Sequence, residues 1–280
     1  MGVLVYDIEG DIVYTRKESN YSFQFSEDEK KRIIELWRRY KGGTYVNSVN
    51  VRLQKIEKRS GKTIMELSKT DFFTFFISNI IRMGFDNFAY YIIHNEDMNS
   101  VGELLSKLTT FYESFPKCYN FDGLINNGCL PNALAVSILV TDPYGNAILV
   151  KRSSKVGVGA NIYSVTTTGA LDESDWESED VIKHCAIREL REELNILIQE
   201  EKLRTIAIVA GINKLQPIVI MNAMLNDTAH EFVKEMQKGK DYQFEVSEVC
   251  VCDKNKIKNI LMEQRFTEAA RFHLDYYLKD

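Results

Sequence analysis

Three glutamates in the segment VIKHCAIRELREELNI have the spacing of side chains that share one face of a helix. Glu189, Glu192 and Glu193 stand at relative positions i, i+3 and i+4, so a helix would bring them within about 100° of one another. Like charges at this spacing repel one another. A divalent cation would remove the repulsion, and Mg²⁺ or Mn²⁺ binds carboxylate oxygens, water and phosphates. The spacing therefore predicts a metal site on a solvent-facing helix side.

The neighbouring residues leave a second interpretation open. Arg188 and Arg191 alternate with the glutamates, a pattern that is equally typical of an ordinary solvated helix surface. Ile187, Leu190 and Leu194 occupy roughly the opposite face of the same helix. They would anchor it to a core, which is what a helix needs if it is to hold a site in place.

The segment as a whole resembles the Nudix box, whose pattern is G-x(5)-E-x(7)-R-E-U-x-E-E-x-G-U with U aliphatic. Residues 188–196, RELREELNI, match its second half except that Asn195 replaces the glycine. Asn is the next best residue for the positive φ that ends such a helix. The resemblance implies that Glu189, Glu192 and Glu193 bind Mg²⁺ or Mn²⁺, that Glu192, Glu193 and Arg188 serve catalysis, and that Arg188 orients an upstream carboxylate.

The first half of the pattern is less regular. Gly169 stands where the leading glycine of the box would lie, beside the substrate. Eight residues before Arg188 the chain has Asp180 instead of Glu, and Gly169 precedes Asp180 by eleven residues, five more than the pattern allows. Glu179 and Glu173 are alternatives for the upstream carboxylate. The choice among the three is open at this stage.

Further residues resemble other parts of Nudix enzymes. AVSILVTDPYGNAILVKRSS is similar to the first Nudix hairpin, whose terminal basic pair, here Lys151 and Arg152, faces the substrate. KDYQFEVSEV is similar to the acidic loop that faces the metals. The resemblance makes Glu245 the first candidate for the general base and Glu248 the second. A solvent-facing strand position is an equally good interpretation of either glutamate.

The resemblance implies an α/β fold: a Nudix α/β/α sandwich with a mixed sheet over residues 129–280, preceded by a smaller α+β N-terminal domain over residues 1–128. In that domain, VLVYDI and IVYT around Gly10 predict a hairpin, and Ser26 with Glu29 predicts the capping box of a helix. Two strands are expected around Ser60-Gly61, and FAYYIIH is expected to be a strand. The junction is expected between Pro116 and Pro131.

The N-terminal half also resembles the region preceding the Nudix domain in the UDP-glucose-hydrolysing group of that family. A helix with Trp is followed by an Asn-containing strand, an Arg-Leu strand and a Thr-Asp-aromatic segment. The matching residues are Trp37, Asn47 or Asn50, Arg52, Thr70, Asp71 and Phe72. Each of these residues could equally be part of a core.

Composition narrows the class of partner. The net charge of −5 disfavours nucleic acid, and no apolar run reaches the roughly 20 residues that span a bilayer. Without a recognisable signal peptide, the five cysteines are expected to be reduced thiols in a cytoplasmic protein. We expect a small-molecule nucleotide as the partner, with no nucleic acid and no membrane.

Three functions remain open. The first is Mg²⁺- or Mn²⁺-dependent hydrolysis of the diphosphate of a nucleoside diphosphate derivative, with a UDP-sugar cleaved to UMP and sugar 1-phosphate as one expected case. The second is a Nudix-fold sensor or scaffold that binds nucleotides and cleaves them weakly or not at all. The third, a prenyl-diphosphate isomerase, requires a Cys-Ser-His-Pro-like segment, and YSVTTTGAL has neither Cys nor His.

Overall fold

The computed structural model describes residues 2–128, 130–154, 156 and 160–279. The strands in these ranges are β1 (Val3–Asp7), β2 (Ile12–Arg16), β3 (Val49–Arg59), β4 (Lys62–Asp71), β5 (Ala135–Thr141), β6 (Ala147–Arg152), β7 (Tyr163–Ser164), β8 (Thr167–Ala170), β9 (Leu203–Gly211), β10 (Ile218–Met224) and β11 (Val246–Cys252). The α-helices are α1 (Glu27–Lys41), α2 (Phe72–Phe75), α3 (Phe85–Asn95), α4 (Met98–Glu113), α5 (Phe121–Ile125), α6 (Glu173–Trp176), α7 (Val181–Leu194), α8 (Ala229–Met236), α9 (Tyr242–Glu245), α10 (Lys254–Glu263) and α11 (Glu268–Tyr277). A π-helical segment covers Phe76–Ile81, and a 3₁₀ turn covers Glu200–Lys202.

The larger sheet is mixed. Its strands follow the order β1-β9-β10-β5-β6-β11, with β8 paired to β5 and β7 paired to β6. The β10–β5 pair is parallel, and the other pairs are antiparallel. β5 pairs with β8 through Ala135–Ile138 and with β6 only near its end. The two short strands β7 and β8 both lie within the segment YSVTTTGAL.

Helices cover both faces of this sheet. Along β5, Val136, Ile138 and Val140 belong to the core that also contains the buried side of α7. Ala135 on the same strand belongs to the core that contains Ala269 of α11. Since successive strand residues point to opposite faces, α7 and α11 lie on opposite sides of the sheet. The α/β/α sandwich with a mixed sheet that the sequence predicted is confirmed.

A smaller sheet has the order β2-β4-β3, with β2 parallel to β4 and β3 antiparallel to it. The strand pair around Ser60-Gly61 and the capping box of Ser26 and Glu29 are both confirmed. The hairpin predicted around Gly10 is wrong, because β1 pairs with β9 in the larger sheet while β2 pairs with β4. Gly10 has φ +57°, and the chain changes sheet there.

FAYYIIH forms most of α3 and is not the predicted strand. Phe88 and Ile92, four positions apart, are buried against the aromatic core around Trp37. Tyr90 and Ile93 are exposed. A short apolar run fits both a strand and a helix, and tertiary packing decided in favour of the helix.

The two halves of the chain are joined by backbone contacts. The amide of Leu134 donates to the carbonyl of Val51 over 2.8 Å, and Leu53 N donates to Asn132 O over 3.0 Å. The division at residues 128/129 remains a prediction, and β1 lies in the sheet formed by the second half. Among the described residues, no helix combines the length and the apolar character needed to cross a membrane.

Candidate active site

Helix α7 carries the three glutamates, and local sequence explains where it begins and ends. Asp180 is its N-cap and accepts a hydrogen bond from Lys183 N over 3.0 Å. Leu190 and Leu194 are fully buried and fix the helix to the sheet. Asn195 ends it in the left-handed conformation with φ 53°, as the sequence predicted for a residue that replaces glycine.

Arg188 reaches an upstream carboxylate, but that carboxylate belongs to Asp175. Arg188 Nη2 lies 2.8 Å from Asp175 Oδ2, and Nε lies 3.2 Å from Oδ1. Asp175 is fully buried. Burial alone would raise its pKa, but the hydrogen bonds and charge of Arg188 more than offset this and hold the pKa below its usual value. Asp175 Oδ1 also lies 2.8 Å from His184 Nδ1, within hydrogen-bond distance.

The position of Asp175 changes how the chain aligns with the box pattern. It stands six residues after Gly169, which is the spacing the pattern requires. The five additional residues therefore come after the carboxylate and before α7, where the chain makes the turn between α6 and Asp180. Counting backwards from Arg188 missed Asp175, whereas counting forwards from Gly169 would have found it.

The three carboxylates considered from sequence lie elsewhere. Asp180 caps α7 and also accepts a hydrogen bond from Tyr14 Oη over 2.8 Å. Glu173 is exposed and lies 3.3 Å from Lys69 Nζ, and Glu179 is exposed beside Asp180. Among the described residues of this segment, Arg188 therefore contacts the carboxylates of Asp175 and Asp172 and none of these three.

Glu189 and Glu193 do not face solvent, which corrects the expectation from sequence. The side chain of Glu189 is 12% exposed and lies against Gly169 of β8, where a Cβ would be only 1.9 Å from its carboxyl carbon. Glu193 is 8% exposed and accepts a short hydrogen bond from Thr167 Oγ1. Burial raises the pKa of both carboxyls, and the charge of Glu189 raises that of Glu193 further. The two glutamates are thus held against one strand at an electrostatic cost.

Glu192 has a different environment. Its side chain is 39% exposed and its Oε2 lies 3.3 Å from Arg188 Nη1, while Oε1 of Glu189 lies 2.8 Å from the same nitrogen. Arg188 therefore contacts Asp175, Glu189 and Glu192 together. This network fixes one oxygen of Glu189 on the arginine and leaves Glu192 at the mouth of the site.

A loop after α8 brings Glu245 towards the helix. Its Gly239 packs so closely on α7 that a Cβ would lie 2.3 Å from Glu193 O, and Asp241 N donates to Glu192 O over 3.1 Å. Glu245 ends α9, and its Oε2 lies 3.2 Å from Arg152 Nη2. Burial raises its pKa, and its charge raises the pKa of Glu193. Glu245 and the α7 carboxylates thus form one electrostatic group.

Glu248, the second candidate for the base, lies apart from this group. It is exposed on β11 opposite Lys151, and it accepts a hydrogen bond from Tyr163 Oη over 3.2 Å. Lys151 Nζ lies 5.8 Å from the centre of the Tyr163 ring. Of the basic pair at the end of β6, it is Arg152 that contacts Glu245 and lines the neighbouring cavity.

The carboxylates suit a hard divalent cation. Among the described residues, no three Asp, Glu, His or Cys side chains are already close enough together to form a complete metal site. Mg²⁺, however, takes one or two carboxylates and completes its shell with water and substrate phosphates. Two largely buried glutamates, whose pKa values burial raises, provide oxygen ligands of that kind. Glu189 and Glu193, with Glu245 and the more exposed Glu192 beside them, therefore fit Mg²⁺ or Mn²⁺.

A cavity of about 410 Å³ lies on the other face of β8. Thr168, between the residues that contact Glu193 and Glu189, is part of its wall, and Arg152 connects it to Glu245. Phe266, Met83 and Ile218 provide apolar surface. The remaining lining residues are Ser137, Ser164, Gly211, Asn213, Lys214, Gln216, Thr267, Glu268 and Ala269.

Three polar residues of this wall were missed by the sequence analysis. Ser137 Oγ and Gln216 Oε1 are buried and have no hydrogen-bond partner among the described residues. Lys214 is partly buried, and this burial lowers its pKa to about 8, with the charge of Arg152 contributing. Buried polar atoms are normally bonded, so the cavity is suited to a polar, anionic ligand. A serine within the apolar strand AVSILV was the one available signal.

The residues that carry the N-terminal resemblance have roles in folding. Trp37 packs on Phe88, and Asp71 caps α2 while pairing with Lys30. Asn47 Oδ1 accepts from Phe73 N, and Asn50 Nδ2 donates to Leu171 O. The buried Arg52 bonds Asn20 and Gln54. None of the residues in that resemblance is part of the cavity wall that the structure describes.

Comparison with models of protein families and with curated protein sequences found no match. Solved structures of Nudix proteins, in contrast, are similar to about half of the chain. The Nudix hydrolase from Alicyclobacillus acidocaldarius is 12% identical, with a TM-score of 0.41 over 53% of this chain and 91% of its own. The Nudix domain of Shewanella oneidensis NrtR, solved with ADP ribose, is 14% identical, with a TM-score of 0.38 over 51% and 84%.

The MutT protein from Methanosarcina mazei Go1 is 14% identical, with a TM-score of 0.34 over 52% of this chain and 93% of its own. The partial similarity concerns the fold, and values this low say nothing about activity. The chemistry of the site has to follow from its own residues.

Proposed function

We propose that this protein is a Nudix-type hydrolase that uses Mg²⁺ or Mn²⁺ to cleave the diphosphate of a nucleoside diphosphate derivative. One observation carries the proposal: Glu189 and Glu193 are held side by side against β8, although burial raises the pKa of both carboxyls and the charge of Glu189 raises that of Glu193 further. An ordinary surface helix would not bury two carboxylates in this way, because the burial is unfavourable. In a site that binds a divalent cation and a diphosphate, the cation would offset this cost.

The residues around the pair support roles in the reaction. When bound, a divalent cation would neutralise diphosphate charge and lower the pKa of a coordinated water. Glu245 would accept a proton, because a carboxylate with a raised pKa is better matched to proton transfer near neutral pH. Arg152 orients Glu245 and would bind phosphate oxygens as a planar fork. Arg188, fixed by Asp175, orients Glu189 and Glu192.

The cavity behind β8 would bind the nucleotide, from a phosphate near Arg152 to the groups beyond it. Its apolar wall at Phe266 and Met83 suits a ring, and the unpartnered atoms of Ser137 and Gln216 suit the polar edge of that ring or sugar hydroxyls. A UDP-sugar is the substrate we propose to test first. The support for uridine is the order of Trp37, Arg52 and Asp71 in the N-terminal half, and that support comes from sequence alone.

Binding without efficient cleavage is the second candidate. It is favoured by one observation: Glu189 and Glu192 both contact Arg188, which engages carboxylate oxygens that a cation would need. A metal site would therefore have to form as the substrate and cation enter. A sensor of nucleotides would use the same cavity but would release its ligand unchanged.

A panel of nucleoside diphosphate derivatives incubated with Mg²⁺ and separated by chromatography tests the proposal. UDP-glucose should yield UMP and glucose 1-phosphate without free phosphate, since both phosphates remain esterified. Preference for ADP-ribose or a dinucleotide would overturn the UDP-sugar assignment and leave the hydrolase. Binding with no product from any member of the panel would favour the sensor.

A further inference from the structure

The turn between β9 and β10 is held by the N-terminal half of the chain. Asn79, which is 1% exposed, donates from Nδ2 to Lys214 O over 2.8 Å and to Leu215 O over 3.1 Å. Arg82 donates to Asn213 O next to them. Three successive carbonyls of one turn are therefore bonded by two side chains that lie more than 130 residues earlier in the chain.

The turn has an unusual backbone and needs such support. Leu215 has φ 52°, a left-handed conformation that a leucine rarely adopts and that persists only where its surroundings enforce it. Its side chain is buried, and its amide donates to Gly211 O over 2.8 Å. Asn79 itself lies in the π-helical segment Phe76–Ile81, a geometry that is rare and found often at functional sites.

The consequence of this conformation is seen in the cavity. Lys214 and Gln216, on either side of Leu215, both line the cavity, and Met83 of the N-terminal half forms part of the same wall. Lys214 makes no ion pair with any described residue, and its Nζ lies 5.5 Å from the centre of the Phe75 ring. The charge of Arg152 acts on the same ammonium group, and no described acidic side chain is paired with it. A bound anion would provide the negatively charged partner that Lys214 lacks.

We propose that Lys214 binds a phosphate group of the nucleotide and that Asn79 is the positioning residue that keeps Lys214 and Gln216 in the cavity wall. The N-terminal half thereby sets ligand affinity without supplying a carboxylate to the metal site. The inference rests on the proposed function only in taking a nucleoside diphosphate as the ligand. It requires no hydrolysis.

Calorimetric binding to the full chain in EDTA tests this proposal, because chelation removes any contribution from metal ions. The probes are UDP, ADP, GDP, CDP and inorganic pyrophosphate, and the variants are measured with the probe that wild type binds best. Lys214→Met keeps the length of the side chain, and loss of a charge-assisted bond should weaken binding about tenfold. Asn79→Ala should weaken binding of the probe about threefold or more, because it removes the neutral hydrogen bonds that hold the turn.

Ser78→Ala is the matched control. Ser78 is a buried polar residue of the same π-helical segment, but its Oγ donates to Thr74 O over 2.8 Å and not to the turn. Its removal should leave binding within about twofold of wild type. If Asn79 acts through Lys214, adding Asn79→Ala to Lys214→Met should weaken binding much less than it does in wild type, because coupled residues are not additive.

Several outcomes would overturn the inference: no probe binds wild type, Asn79→Ala behaves like Ser78→Ala, or the effects of Asn79→Ala and Lys214→Met simply add. Thermal melting shows whether each variant is folded, and Arg82→Gln tests the same turn if Asn79→Ala is not. Hydrolysis is assayed separately with Mg²⁺. Altered binding without hydrolysis in wild type would refute the proposed function alone, and hydrolysis with unaltered binding would refute this inference alone.

Discussion

Arg188 binds Asp175 through two nitrogen–oxygen contacts, of 2.8 and 3.2 Å, and donates to Glu189 and Glu192 from its remaining nitrogen. The arginine thus connects helix α6 to the acidic face of α7. Because Asp175 is fully buried, the ion pair is shielded from water, and its loss would leave the arginine with the α7 carboxylates and Asp172, which lies 3.6 Å away. The connection predicts a joint effect on stability and on activity.

Asp175→Ala should lower the free energy of unfolding by about 3 kcal/mol, because it removes the buried carboxylate that makes two contacts with Arg188. It should also reduce turnover, since Arg188 would no longer be fixed. Denaturant unfolding and a turnover assay measure the two effects. Glu173→Ala, an exposed position on the same helix, is the control and should change stability by less than about 0.5 kcal/mol. Normal turnover in Asp175→Ala, with a loss in Asp180→Asn, would restore Asp180 as the upstream carboxylate.

Glu189→Gln, Glu192→Gln and Glu193→Gln should each reduce turnover by about 10²-fold, because each removes charge from the group that would bind the cation. Of the three, we expect Glu192→Gln to have the smallest effect, since Glu192 is the most exposed. Steady-state kinetics at several Mg²⁺ concentrations provides the measurement. Glu201→Gln, beyond the end of the helix, should keep wild-type turnover. Near-normal turnover in all three variants would mean that these glutamates form only a charged patch.

Glu193→Gln should stabilise the metal-free protein. The raised pKa of Glu193 means that the folded state disfavours the ionised carboxylate. Its ionisation therefore costs stability as the pH rises above about 4.3, the value for an unperturbed glutamate, and through the raised folded-state pKa. In EDTA at neutral pH the variant should melt about 2–4 °C above wild type. The difference in melting temperature between the variant and wild type should disappear at about pH 4, where the carboxyl of Glu193 is protonated in the folded wild type. A lower melting temperature for the variant at neutral pH would contradict an unfavourable burial of the Glu193 carboxylate.

Chelation by EDTA should abolish hydrolysis while the protein stays folded. Cations held between carboxylates and substrate phosphates are not part of a protein cage, so their removal costs only the free energy of binding. Circular dichroism and activity recorded on the same sample test this, and added Mg²⁺ or Mn²⁺ should restore turnover. Unfolding in EDTA would point to a structural metal.

The sequence alone was sufficient to predict the elements whose conformation depends on residues nearby in the chain. The periodicity of residues 181–194 and the helix-ending Asn195 together indicated α7 and its acidic face. Alternating strands and turn residues likewise identified β3 with β4 and β5 with β6. Such features depend on neighbours a few positions away, and their physical preferences are readable from the chain itself.

Tertiary structure decided the contacts and conformations that depend on residues far apart in the chain. Arg188 pairs with Asp175 and not with Asp180 because of where α6 packs. The pairing of β1 with β9 joins residues about 200 positions apart. Residues 85–95 are helical because of aromatic packing around Trp37. The same is true of Lys214 and Gln216, which enter a cavity wall because Asn79 holds a strained turn. Sequence patterns indicate which face of an element is apolar, but the contact that buries a carboxylate or orients a lysine exists only once separate elements have packed together.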